Sequence, residues 1–170
     1  FCKFKGCSVS GYDRTPSELT RQLESEGIPV HYHDDSSMIP EDRENTLVVY
    51  TPAVPDDFGE LAYAREQGYK VVKRSRMLGE LTRGETCLAV AGTHGKTTTT
   101  SMIAHILTEG GSGCSAFLGG ISRNYGTNML VSDTPTVVAE ADEFDRSFLQ
   151  LHPAIAVITA MDADHLDIYG

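Results

Sequence analysis

The sequence predicts an α/β protein in two successive units. Short apolar runs alternate with amphipathic stretches along all 170 residues, the rhythm of strands and helices in turn. A glycine turn carrying a lysine, Gly92-Thr93-His94-Gly95-Lys96-Thr97, lies between an apolar run and a helical pattern. The apolar runs at 86–91, 136–139 and 154–160 each lead into polar or acidic residues, as strands do when they deliver groups to the carboxyl edge of a parallel sheet. The expected architecture is a Rossmann-like N-terminal domain over 1–84 followed by a P-loop-type parallel α/β domain over 85–170. Both are expected to be incomplete, the first lacking its opening strand and Gly-rich turn.

In order, 7–12 reads as a strand and 17–26 as a helix, with Pro16 at its entrance, Leu19 and Leu23 on one face and Gly27 as its stop. Strands follow at 28–32 and 47–51, the second a continuous apolar run of the kind buried in a parallel sheet. A helix over 58–67 turns Leu61 and Ala62 inward and stops at Gly68, and a strand at 70–73 leads to a helix at 75–82. The apolar pattern pauses after Leu81 and restarts at Leu88, so the boundary between units is expected near 83–86. Strand 86–91, the glycine turn and helix 97–109 open the second unit, with Met102, Ile103, Ile106 and Leu107 on the apolar side of that helix. Strands are expected at 114–118, 129–131, 136–139 and 154–160, with a polar loop over 119–128 and one helical turn over 147–151.

The totals limit the function. No run approaches the roughly 20 apolar residues of a membrane-spanning helix, and the first residues lack the apolar core of a signal peptide. The cysteines Cys2, Cys7, Cys87 and Cys114 have neither redox-motif nor zinc-finger spacing, so they are read as free thiols in a cytoplasmic protein. A formal charge of −10 argues against nucleic acid or an anionic membrane as partner. Residues 1–84 hold 11 basic and 14 acidic side chains, whereas 85–170 hold 3 and 10. An anionic nucleotide in the second unit therefore needs Lys96, backbone N–H groups and Mg²⁺ to offset its charge.

The glycine turn is read as a phosphate cradle. Gly92 and Gly95 allow successive N–H groups to face an anion, Lys96 supplies a point charge, and Thr97 opens a helix whose positive end favours the same anion. The Thr97 hydroxyl sits where P-loops place a Mg²⁺ ligand. Val90 departs from the general pattern, which has glycine there. Glu140 follows strand 136–139 as a Walker-B-like carboxylate, with Asp142, Glu143 and Asp145 behind it and only Arg146 nearby. His165, between Asp164 and Asp167 at the end of strand 154–160, is a metal-ligand candidate.

The turn 92–97 resembles that of the Mur ligases, the ATP-dependent amino-acid ligases of peptidoglycan synthesis, and His94 is similar to their alanine-adding branch. The blocks at 140–149 and 162–167 follow in the family's order and near its spacing. In the first half, 10–13, 50–54 and 72–81 are similar to the family's UDP-sugar domain and the linker out of it. The resemblance implies ATP and Mg²⁺ as cofactors and UDP-N-acetylmuramate and L-alanine as substrates, joined through an acyl phosphate. It implies a nucleotide loop of Gly92, Thr93, His94, Gly95, Lys96, Thr97 and Thr98, and catalytic roles for Lys96, Glu140 and His165. Thr97 and Glu140 would hold one Mg²⁺ and His165 a second. Asp13, Thr51, Ala53, Asn124 and Asn128 would face the muramyl substrate. Met129-Leu130 stands where the family often has Ala-Arg, and Arg123 is the replacement considered for that basic contact.

The rival readings are a family ligase that recycles a murein peptide, a plain P-loop kinase or NTPase, and a non-catalytic nucleotide-binding module. The chain by itself is expected not to catalyse ligation, because walls of the site are expected outside it.

Overall fold

The computed structural model describes residues 1–163. By its internal contacts the chain divides into Phe1–Lys73 and Arg74–Gly170.

The first unit contains two parallel strand pairs, each joined across a helix. β1 (Gly11–Tyr12) leads through α1 (Glu18–Ser25) to β2 (Val30–His31), and β1 pairs with β2. β3 (Leu47–Tyr50) leads through α2 (Gly59–Glu66) to β4 (Lys70–Lys73), its parallel partner. Ser17 rather than Pro16 sets the start of α1, through a capping box with Thr20 that satisfies two backbone donors at once. Thr20 is buried and Leu19 is 54% exposed, so the inward face of α1 lies one residue round from the leucine stripe expected. The Asp34 carboxylate caps α2, accepting from the N–H groups of Gly59 at 2.8 Å and Glu60 at 2.9 Å. The buried Glu60 carboxylate in turn lies 2.8 Å from His31 Nε2 and accepts from the N–H of Asp35 at 2.9 Å, tying α2 to the end of β2.

In the second unit a five-stranded sheet has the order β7-β6-β8-β5-β9. Its strands are β5 (Thr86–Ala91), β6 (Ser115–Ser122), β7 (Thr127–Leu130), β8 (Thr136–Glu140) and β9 (Ile155–Ile158). Residues of β5 and β8 alternate between two cores: Cys87, Ala89 and Ala139 pack with Ala141 and Leu151, whereas Val138 packs with Ala104, Cys114, Ala116 and Leu118. That is why these strands read as unbroken apolar runs: successive side chains point to opposite faces, and both faces are covered. α4 (Lys96–Glu109) covers one face. Its inward residues are Thr100, Ile103, Ala104 and Leu107, while Met102 is 59% and Ile106 68% exposed, so the apolar side expected of it was half right.

One element differs from expectation. The segment 119–128 is not a polar loop; β6 runs on through Gly119 and Gly120 to Ser122 and turns back antiparallel as β7, with a register shift between Phe117 and Ser122. The helix at Arg74–Thr82, α3, groups with the second unit by its internal contacts. The physical reason is its packing on the 3₁₀ helix Phe144–Gln150. Gly79 sits so close there that a Cβ would fall on the carbonyl oxygen of Gln150.

Glycine to alanine inside a helix normally stabilises by about 0.5–1 kcal/mol. Gly79→Ala is expected to reverse that sign and destabilise by about 1–3 kcal/mol through overpacking, measured by urea unfolding. The cysteines give a second check, being free thiols of unequal exposure. Burial pushes the Cys87 and Cys114 thiols up, against a smaller opposing hydrogen bond from Thr82 and Thr108 respectively. Since the thiolate is the nucleophile, a thiol-reactive dye is expected to label Cys7 and Cys2 in the folded protein and Cys87 and Cys114 only after denaturation.

Candidate functional site

The parallel pairing of β5 with β8 sets Val90 opposite Glu140, and that of β5 with β9 sets Ala91 opposite Ile158. The three strands therefore end level, and the segments leaving them meet. The loop after β5 turns on Gly92 and Gly95, at φ 130° and φ 79°, a region that a side chain disfavours. Gly95 is also the N-cap of α4 and brings no side-chain acceptor. The first-turn N–H groups of Lys96, Thr97 and Thr98 are thus left for an anion, as helix starts leave them.

Around that loop the expected groups assemble in part. Thr97 Oγ1 donates to Glu140 Oε2 at 3.1 Å, and the other carboxylate oxygen, Oε1, accepts from the N–H of Gly119 on β6. A Cβ at Gly119 would fall on the Glu140 carboxylate, whereas one at Gly120 would lie 3.7 Å from the Thr97 methyl. The adjacent glycines inside β6 are the trace of that close approach. Lys96 Nζ donates to the carbonyl of Gly92 at 2.7 Å and to Glu143 Oε1 at 2.8 Å, with the two side chains only 16% and 19% exposed. Glu143, read in the sequence as one member of an acidic run, is the partner of Lys96. Thr93 Oγ1 donates to Asp162 Oδ2 at 3.3 Å, and His94 Nε2 lies 3.8 Å from the same oxygen. Thr98 is exposed on the first turn of α4.

The remaining candidates lie on other segments. Asp13 and Thr51 directly follow β1 and β3. Asp13 Oδ1 accepts from the N–H of Thr15 at 3.1 Å, and the Thr51 carbonyl closes a turn through the N–H of Val54 at 3.0 Å. Ala53 is exposed in that turn. Asn124 lies in the β6–β7 turn and Asn128 on β7, both exposed, so they belong to a hairpin, where a loop was expected. His165 lies outside the described residues.

The donor set suits Mg²⁺. Among the described residues no group of three or more His, Cys, Asp or Glu side chains is gathered for a metal. Thr97 and Glu140 offer hard oxygens at one point, and the remaining ligands would come from phosphate and water, the habit of Mg²⁺ with nucleotides.

A family model described as the Mur ligase family, catalytic domain, matches residues 1–86, and one described as the Mur ligase middle domain matches 90–170. The chain belongs to the Mur ligase family. The UDP-N-acetylmuramate–L-alanine ligase of Phocaeicola vulgatus is 59% identical over 170 residues, covering 98% of this chain and 37% of that protein. The ligase of the same name from Christiangramia forsetii is 55% identical over 174 residues, covering 100% of this chain and 38% of that protein. Among solved structures, the UDP-N-acetylmuramate-alanine ligase of Thermotoga maritima aligns with a TM-score of 0.88 at 32% identity, over 99% of this chain and 39% of that one. The UDP-N-acetylmuramate:L-alanyl-gamma-D-glutamyl-meso-diaminopimelate ligase of Neisseria meningitides aligns with a TM-score of 0.86 at 28% identity, over 99% of this chain and 57% of that one. The chain thus spans 37–38% of the length of these curated Mur ligases, and the solved relatives share its α/β fold. No helix among the described residues is long and apolar enough to cross a membrane.

The contrast between neighbouring glycines tests this geometry. Gly119→Ala is expected to push the Glu140 carboxylate away from Thr97 and weaken Mg²⁺-dependent nucleotide binding by about tenfold or more, the worth of a charge-assisted hydrogen bond. Gly120→Ala is expected to bind within about twofold of the parent. Calorimetry with and without Mg²⁺ measures both.

Proposed function

We propose that this chain is part of an ATP-dependent ligase that joins L-alanine to the lactyl carboxylate of UDP-N-acetylmuramate, in the cytoplasm. The observation that carries the reading is the 3.1 Å approach of Thr97 Oγ1 to Glu140 Oε2 beside Lys96 and the open first turn of α4. On this reading residues 1–84 receive the UDP-sugar, with Asp13, Thr51 and Ala53 as its contacts, and 85–170 begin the ATP-binding domain.

A carboxylate is a poor acylating agent, so its oxygen first attacks the γ-phosphorus of ATP, and ADP leaves. The alanine amine then attacks the acyl carbon, phosphate departs with the bonding electrons, and the amine gives up a proton. Neither step requires a nucleophilic side chain, and the protein's share is alignment and charge neutralisation. Lys96 and the N–H groups of the α4 first turn would hold the transferring phosphate. Thr97 and Glu140 would hold Mg²⁺, which when bound offsets phosphate charge. Asn124 and Asn128, on the hairpin that also carries the Glu140-facing Gly119, would meet the muramyl group. His165 would hold a second ion. Mg²⁺ would also bring positive charge to a second half that holds 3 basic and 10 acidic side chains.

A second reading, a ligase that attaches a murein peptide in place of alanine, uses the same cradle and differs in the amine it accepts. Phosphate release by the intact protein, assayed with UDP-N-acetylmuramate and either alanine or the L-Ala-γ-D-Glu-meso-diaminopimelate tripeptide, separates the two. Lys96→Ala and Glu140→Ala are each expected to lower alanine-dependent phosphate release about 100-fold or more, the scale for removing one preorganised electrostatic group, with the unfolding midpoint little changed in Glu140→Ala. Activity of Glu140→Ala near the parent at saturating Mg²⁺ would refute the metal assignment.

A further inference from the structure

The phosphate loop does not hold its shape by its own residues alone. It rests on the exit of β9, at Thr159. The Thr159 N–H extends the β5–β9 ladder by donating to the carbonyl of Ala91 at 3.0 Å. Its hydroxyl lies 3.1 Å from that same carbonyl and is also within hydrogen-bond reach of the carbonyl of His94. One hydroxyl proton serves both acceptors by sharing or exchange, so a single oxygen gathers the entrance and the far side of the loop.

The steric evidence points the same way. A Cβ at Gly92 would clash with Thr159 Oγ1 and lie 2.9 Å from the N and O atoms of Ala160, while one at Gly95 would lie 3.9 Å from Thr159 Cβ. Both loop glycines therefore back onto the β9 exit. The contact continues along the loop, since the N–H of Thr93 donates to the carbonyl of Ala160 at 3.1 Å and the N–H of Asp162 donates to Thr93 Oγ1 at 3.2 Å.

We propose that Thr159 is a positioning residue for the phosphate loop: its hydroxyl fixes the path from Ala91 to Gly95, and with it the aim of Lys96 and of the first-turn N–H groups of α4 at the phosphates of a nucleotide. The functional half of this statement rests on the nucleotide-binding reading above. The conformational half stands on the loop itself.

Thr159→Val keeps the branched shape and the backbone N–H and deletes only the hydroxyl, and Thr159→Ser restores it. In the intact protein without nucleotide, amide hydrogen exchange at Thr93 is expected to be about three- to tenfold faster in Thr159→Val, the worth of one net hydrogen bond. By calorimetry the Kd for Mg-ADP is expected to rise by a similar factor, with UDP-N-acetylmuramate affinity unchanged and Thr159→Ser close to the parent in every readout. Parental exchange in Thr159→Val, an equal loss of affinity for both ligands, or failure of Thr159→Ser to restore the parent would each overturn the proposal. A parent that binds no Mg-ADP would defeat the ligase reading and overturn the nucleotide half of the proposal, and the exchange rates would still decide whether the hydroxyl holds the loop.

Discussion

Parallel pairing to β5 is the constraint on which the site depends. With Val90 opposite Glu140 and Ala91 opposite Ile158, the segments leaving three strands meet over one stretch of sheet edge. A register slip of one residue in β8 would turn Glu140 to the other face and carry its carboxylate away from Thr97. What keeps the register is the two-sided core: Cys87 and Ala89 belong to one face and Val138 to the other, so a slip would exchange the two packings. The apolar residues that seem to have nothing to do with chemistry therefore set the relation between a threonine and a glutamate 43 positions apart.

Around that edge, small residues do the positioning. Gly92 and Gly95 back onto Thr159, and Gly119 makes room for the Glu140 carboxylate while its N–H holds one of the oxygens. Each removes a Cβ where two segments approach, and each approach brings a polar group to a defined place. The hairpin β6–β7 thereby joins the substrate-facing candidates Asn124 and Asn128 to a strand whose Gly119 already contacts the Glu140 carboxylate.

Much of this was legible in the sequence. The alternation of apolar runs and amphipathic stretches carries the α/β order, and the glycine turn with its lysine marks the link from β5 to α4. The strand-to-acid transition at Glu140 is equally local. The misses have a common cause, which is that tertiary partners are not written in local pattern. Leu19 and Met102 fit a helical stripe but face outward, because the stripe is set by which neighbour the helix meets. Gly119 and Gly120 read as loop glycines although they lie within β6. The helix α3 packs on the 3₁₀ helix Phe144–Gln150, an approach that Gly79 permits and no local pattern announces. Thr159 carries no motif, and its only sequence trace is a hydroxyl residue ending an apolar strand, a signal too common to single it out.

The ion pair between Lys96 and Glu143 bears on which anions the loop can accept. An anion that draws Lys96 away must outcompete a carboxylate already 2.8 Å from it, and it parts Glu143 from the lysine in a segment that also holds Asp142 and follows Glu140 at the end of β8. A bare phosphate brings only more repulsion to that turn. A phosphate arriving with a divalent cation brings compensation for the carboxylates at the moment it takes the lysine. On the proposed function the pair would act as a discriminator, setting a threshold that simple anions meet poorly and making the loop's affinity for phosphate conditional on metal.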